Sequence, residues 1–293
     1  RSSDLQKYRP ADPGRFVADL ESALRAAGAN RDDDPASPYF GFVWILDRRH
    51  PEQMQATIEA AVAARRDSPD FLLGLDLAGD EGTQRPEALV PYFIPAFREC
   101  MPVTIHAGEG ESADNIWQAA YHLHADRIGH GLSLAESPAL ATRFRDRGIC
   151  LELCPSSNRE VVGFFDPEHA AATTDLPRYP LRRFIDAGLP LTLCTDNPGI
   201  SQTTLADEYL VAARMNTGGI TLWEALALIK QGFVNAFLPA EARETLLKRA
   251  DRQILTALLG GKLAAAHTAQ GRFQQYCSKD GPTPVDELIA QRR

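Results

Sequence analysis

Histidine and carboxylate residues follow several apolar segments of this sequence. His106 comes directly after the segment 103–105, and Asp196 follows the segment 191–195. One imidazole and one carboxylate make half of a zinc or iron site, because catalytic metal sites use three or more protein ligands and a water. We therefore predict that His106 and Asp196 are two ligands of one divalent metal.

Glu109 and His130 are predicted to do acid–base chemistry beside that metal. Glu109 follows His106 across the small pair Ala107-Gly108, which lets the chain turn its carboxyl group back toward the strand end. A partly desolvated carboxyl there can be protonated near neutral pH and deliver a proton. His130 has a glycine on each side and could orient or deprotonate a metal-bound water. Each residue alone could be a cap or a helix charge, but their joint occurrence favours a site.

Six apolar segments must position these residues, and each is followed by a helical pattern. They span residues 41–47, 71–79, 101–109, 126–131, 150–158 and 189–198. This alternation predicts parallel strands buried on both faces. Polar residues lie at the carboxyl ends of all six, which favours a barrel over a doubly wound sheet, where ligands bind only near a switch point. Consecutive helices follow from about residue 221, and residues 1–293 are predicted to form a single domain.

Two polar groups are predicted to lie outside the site. His122 and His124 close a helix before the segment 126–131, which assigns them to the opposite, amino-terminal face of the barrel. Asp80-Glu81 is expected to be a solvated turn, whereas Gly79 before it permits close backbone approach to a ligand.

Composition excludes several classes of protein. The 293 residues carry a formal net charge of −8, which argues against nucleic-acid binding. No apolar stretch approaches the roughly 20 residues of a membrane span. Five cysteines without a C-x-x-C pair predict buried free thiols of a reducing compartment, so a cytoplasmic protein is expected. Its oligomeric state is left open.

Five ordered motifs resemble those of the adenosine deaminase family. They are DLAGDE at 76–81, TIHAGE at 104–109, RIGHG at 127–131, ELCPSSN at 152–158 and CTDNP at 194–198. The resemblance covers the chain from about residue 41 to residue 251. It implies a metal-dependent (β/α)8 barrel of the TIM type that hydrolytically removes the 6-amino group of an adenine-type purine.

The resemblance also implies roles for single residues. His106 and Asp196 resemble ligands of one divalent metal, with zinc as the expected ion. Glu109 resembles the acid that protonates ring N1, His130 the residue that holds the attacking water, and Asp196 also the acceptor of its proton. The Gly79 backbone amide is expected to contact the purine ring.

One departure from the family concerns Asn197. The family commonly has Asp-Asp where this chain has Asp196-Asn197, and the second carboxyl contacts purine N7. An amide can still donate a hydrogen bond there, so Asn197 is predicted to bind the substrate. The departure leaves adenosine, deoxyadenosine, adenine and modified adenine nucleosides open as substrates.

The larger departure is that the family's first strand, with its His-x-His ligand pair, and a second strand are not found. Six of the eight expected strands are evident, and we expect the sequence to be an N-terminally incomplete view of the barrel. A non-catalytic fragment or pseudoenzyme that binds a nucleoside or a partner is therefore the alternative. A third hypothesis, a bimetallic amidohydrolase acting on a cyclic amide, is less favoured because no lysine stands at a strand end.

Overall fold

The computed structural model describes residues 12–29, 37–169 and 175–260. The chain divides into two compact units, residues 1–129 and 130–293. The single domain predicted for residues 1–293 stays a prediction. The sequence also predicts a surface loop over the charged residues 30–38 and a polar tail after Gly260, and both fall largely outside the described residues.

The first unit alternates strands and helices. Its elements are α1 (Pro13–Ala26), β1 (Phe42–Asp47), α2 (Pro51–Asp67), β2 (Leu72–Ala78), α3 (Pro86–Arg98), β3 (Val103–Ala107) and α4 (Ala113–Tyr121), and β4 (Arg127–His130) begins within it. A proline opens α1, α2 and α3, where a missing N–H costs nothing. A buried cluster of Val17, Ala64, Phe71 and Leu72 joins α1 and α2 to the start of β2.

The second unit begins at the last residue of β4 and becomes helical toward its end. A 3₁₀ helix (Leu132–Glu136) is followed by α5 (Pro138–Arg147), β5 (Cys150–Leu153), α6 (Pro155–Val161), α7 (Leu181–Asp186), β6 (Leu191–Leu193), α8 (Pro198–Ser201), α9 (Leu205–Met215), α10 (Leu222–Val234) and α11 (Ala240–Leu259). Capping boxes at Thr204 and Thr221 start α9 and α10, since each hydroxyl and its partner carboxylate satisfy backbone N–H groups that a helix leaves unpaired.

The strands form one sheet in chain order, β1-β2-β3-β4-β5-β6. Within the units, β1 with β2, β2 with β3, and β5 with β6 pair in parallel. The predicted α/β class of the TIM-barrel type, with six strands evident, is confirmed. Among the described residues, no helix is both long enough and apolar enough to cross a membrane.

Local predictions for the loops fared differently from those for the strands. Gly148 and Gly188 have positive φ angles of 70° and 69° at the ends of α5 and α7, as predicted for helix caps. The predicted segment 150–158 is wrong at its end, because β5 stops at Leu153 and residues 155–161 form α6 with Pro155 at its first position. Helix α1 lies where no element was predicted. The four described cysteines are free thiols, but the expectation of buried thiols holds only for Cys150 and Cys154, because Cys194 is partly buried and Cys100 is exposed; Cys277 lies outside the described residues.

Candidate active site

An imidazole and a carboxylate meet at the carboxyl ends of β2 and β3. His106 Nε2 lies 3.3 Å from Asp76 Oδ2, and both side chains are largely buried. Asp76 pairs in register with Thr104, so His106, two residues further along β3, projects to the same face of the sheet. Gly129 makes room for the imidazole, because a Cβ there would lie 2.8 Å from His106 Cδ2. Asp76 Oδ1 is buried without a hydrogen-bond partner.

A fully buried arginine supports the backbone of the same histidine. Arg48 is 0% exposed and donates from Nη2 to the His106 carbonyl oxygen at 2.5 Å. Burial lowers the pKa of Arg48, although the carboxylates of Glu81 and Asp76 oppose that change. Arg48 therefore fixes the backbone at the end of β3 and lies among several carboxylates.

The turn that carries Glu109 is held by Glu81. Glu81 is 8% exposed and accepts hydrogen bonds from the backbone N–H groups of Gly108 at 2.7 Å and Glu109 at 2.8 Å. The expectation of a solvated turn at Asp80-Glu81 is therefore wrong for Glu81, while Asp80 is exposed. Glu109 itself is half-buried, which suits a partly desolvated acid. Sequence reasoning missed Glu81 because its partners lie 27 and 28 residues away.

Gly79 occupies a position that excludes a side chain. Its φ is +95°, and a Cβ there would lie 2.3 Å from Asp47 Oδ1. Asp47 in turn forms an ion pair with Arg49 at 2.9 Å. The need for glycine at residue 79 thus has a local cause, and the predicted contact of its amide with a purine stays a prediction.

In the second unit, His130 ends β4 within a buried chain of polar side chains. His130 has φ +63°, an uncommon value for a residue with a side chain, and is 2% exposed. Its Nδ1 lies 2.9 Å from Asn158 Nδ2, and Asn158 Oδ1 accepts a hydrogen bond from the Tyr179 hydroxyl at 2.9 Å. The glycine after His130 is also needed, because a Cβ at Gly131 would lie 2.8 Å from Leu151 Cδ2.

Asp196 also has a left-handed backbone conformation, with φ +53°. Its side chain is exposed and accepts a hydrogen bond from Ser157 Oγ at 2.7 Å. Asn197 is the N-cap residue of α8 but forms no side-chain cap. Strained backbone at two predicted site residues, His130 and Asp196, is a feature that functional sites often show.

Short helix α6 is fixed from behind by a buried carboxylate. Glu208 of α9 is 0% exposed and accepts a hydrogen bond from the Ser156 backbone N–H at 2.9 Å. Burial raises the pKa of the Cys154 thiol at the start of α6, so this cysteine is an inert part of the core rather than a nucleophile.

The metal donors fit a divalent cation in kind. The orphaned Asp76 Oδ1 beside the His106 imidazole is a buried anionic oxygen that a cation would satisfy. Over the residues that are described, no three His, Cys, Asp or Glu side chains come together as a metal-binding group. His106 belongs to the first unit and Asp196 to the second.

The H-x-H pair makes aromatic contacts. His122 is the C-cap residue of α4 and packs edge-on against Trp117. His124 packs edge-on against Phe97. Both residues precede β4, and their assignment to the amino-terminal face of the barrel stays a prediction.

Comparison with known proteins identifies the family. The sequence model described as adenosine deaminase matches residues 26–253. The chain is 33% identical over 248 residues to the aminodeoxyfutalosine deaminase of Streptomyces coelicolor, which covers 83% of this chain and 59% of that protein. It is 31% identical over 206 residues to the adenosine deaminase of Pectobacterium atrosepticum, covering 70% of this chain and 57% of that protein.

The chain therefore spans somewhat under two thirds of the length of these two relatives. A crystal structure of an amidohydrolase from Burkholderia ambifaria with bound Zn is similar in fold, with a TM-score of 0.71 at 22% identity over 85% of this chain and 64% of that one. With the sequence match extending over most of its length, this chain belongs to the adenosine deaminase family.

Proposed function

We propose that this chain contributes an acid, a water-holding histidine and two metal ligands to a site that hydrolytically deaminates an adenine-type purine. Water replaces the 6-amino group, so that a C6–O bond forms, the C6–N bond breaks, and the products are the 6-oxo purine and ammonia. The observation that carries the proposal is the Asp76–His106 pair with the Glu81-anchored turn of Glu109 beside it, in a chain of this family.

The proposed cofactor is one divalent metal, with zinc the expected ion. His106 and Asp196 would hold it, together with ligands that the described residues do not supply as a group. When bound, such an ion provides Lewis acidity that makes water a nucleophile near neutral pH. The solved relative with bound Zn supports the choice of ion.

The chain's own residues handle the protons. Glu109, half-buried on its anchored turn, delivers a proton to ring N1 as negative charge develops on the purine. Asp196, oriented by Ser157, accepts a proton from the attacking water, which His130 holds in place. The Gly79 amide contacts the purine ring, and the Asn197 side-chain amide donates to N7 in place of a protonated acid.

The substrate class follows from this arrangement and from the relatives. Because the relatives are named for adenosine and for aminodeoxyfutalosine, the proposed substrate is a small adenine-containing molecule rather than a nucleic acid. The net charge of −8 agrees with that choice, since polyanions are disfavoured.

The acid role of Glu109 is tested by Glu109→Gln in the natural protein supplied with zinc. Ammonia release would be measured on adenosine, deoxyadenosine, adenine and aminodeoxyfutalosine. Loss of a general acid predicts a fall in kcat of about 10²- to 10⁴-fold with metal content unchanged. The exposed neighbour Glu111 provides the matched control, because Glu111→Gln should leave kcat within about twofold. Unchanged turnover in Glu109→Gln would remove the acid role.

A further inference from the structure

The buried chain Tyr179–Asn158–His130 restricts the protonation of the imidazole. The three residues are 3%, 0% and 2% exposed, so the donor and acceptor roles of their facing polar atoms must match. Asn158 is the middle residue of this hydrogen-bonded series, since its amide group faces Tyr179 and Cys154 on one side and His130 on the other.

The orientation of the Asn158 amide is set by a backbone group. The Cys154 backbone N–H lies 3.3 Å from Asn158 Oδ1 and can only donate, so the atom facing it must be the carbonyl oxygen. The Tyr179 hydroxyl donates to the same oxygen at 2.9 Å. A flipped amide would point its NH₂ group at the Cys154 N–H. Asn158 Nδ2 therefore faces His130.

This orientation selects one tautomer of His130. Asn158 Nδ2 is a donor, and it lies 2.9 Å from His130 Nδ1, which must accept. A proton on Nδ1 would place two N–H donors against each other at 2.9 Å inside a buried site, a costly arrangement. The neutral ring consequently carries its proton on Nε2.

We propose that Asn158 is a positioning residue that fixes His130 as the neutral Nε2–H tautomer. This inference rests on the proposed function in one respect: His130 then holds the attacking water by donating a hydrogen bond to its oxygen, and is not the group that removes its proton. Two adjacent side chains of α6 thus form hydrogen bonds with predicted site residues, since Ser157 contacts Asp196 and Asn158 contacts His130.

The test is the tautomer itself, measured by ¹⁵N–¹H NMR of the natural protein labelled at histidine. The signals of His130 would be assigned by their loss in His130→Gln. The expected result is a neutral ring with unprotonated Nδ1 and protonated Nε2. A proton on Nδ1 in the wild-type protein would overturn the proposal, and this measurement needs neither substrate nor turnover.

Two variants extend the test. In Asn158→Asp the carboxylate accepts instead of donating, so the ring should gain a proton on Nδ1 and kcat should fall by about 10- to 100-fold with KM little changed, as for other losses of an orienting partner. In Tyr179→Phe the Cys154 N–H still fixes the amide, so the tautomer should persist and kcat should change less than about threefold. An unchanged tautomer in Asn158→Asp would refute the positioning role. Absence of any deamination with the Nε2–H tautomer present would refute the proposed function alone.

Discussion

The buried carboxylate of Asp166 offers the sharpest test of the packing of the second unit. Its side chain is 1% exposed and accepts hydrogen bonds from Arg214 on α9 and from Arg159 on α6. Burial alone would raise the pKa of Asp166, but these bonds outweigh it and lower the pKa from 3.8 to about 2. The residue therefore ties the segment after α6 to α9 through a charged network.

The size of the effect of Asp166→Asn follows from that pKa. Because the folded state favours the ionised carboxylate, its stabilisation is complete above the unfolded pKa and is lost as the pH falls toward about 2. The full contribution is about 2.5 kcal/mol at neutral pH, at about 1.4 kcal/mol per unit of pKa shift. About 1 kcal/mol of it should disappear between pH 6 and pH 3. Breaking the buried pair itself costs about 3–5 kcal/mol at neutral pH.

The assay is urea unfolding of wild type and variant at several pH values. The difference in free energy of unfolding between them should shrink by about 1 kcal/mol between pH 6 and pH 3. Asp146→Asn is the matched control, because Asp146 is half exposed and forms a surface ion pair with its neighbour Arg145. Its effect on the free energy of unfolding should stay below about 0.5 kcal/mol. A wild-type-to-Asp166→Asn difference that does not vary with pH would refute the reasoning.

Two further substitutions probe the first unit by the same unfolding measurement. Glu81→Gln should destabilise by about 1–3 kcal/mol, because an amide has one acceptor oxygen and cannot replace the carboxylate at both backbone N–H groups. The control Glu59→Gln, at an exposed residue, should cost almost nothing. Equal effects of the two variants would contradict the anchoring role. Gly79→Ala should destabilise more than Gly28→Ala. Both glycines have φ near +90°, but only at residue 79 would the new Cβ contact Asp47. Equal losses of unfolding free energy would exclude that contact as the cause.

The fold was predictable where hydrophobic pattern alone determines structure. All six strands and most of the helices after residue 50 follow from apolar runs alternating with helical periods. Helix α6 was missed because Pro-Ser-Ser-Asn is typical of turns, although Pro155 also suits a first helical position. Helix α1 was missed although its start carries helix signals, namely the Asp12 side-chain cap and Pro13 at the first helical position.

The candidate site was predictable in its residue types but not in its contacts. Motif position indicated His106, Glu109, His130 and Asp196, yet nothing in the spacing shows that Asp76 faces His106, because this depends on the register between β2 and β3. Contacts such as Asp166 with Arg214 join residues 48 positions apart and form only after the chain has folded. Long-range pairing of this kind is decided by tertiary packing, which local patterns do not encode.

We propose that this protein uses water to remove the 6-amino group of an adenine-type purine. The most direct measurement is turnover of the zinc-supplied natural protein in ¹⁸O-labelled water, with ammonia quantified and the purine product analysed by mass spectrometry. We predict one ammonia for each product molecule and one ¹⁸O atom in each 6-oxo product. Absence of ammonia from all four adenine-containing compounds, or a product without ¹⁸O, would contradict the claim.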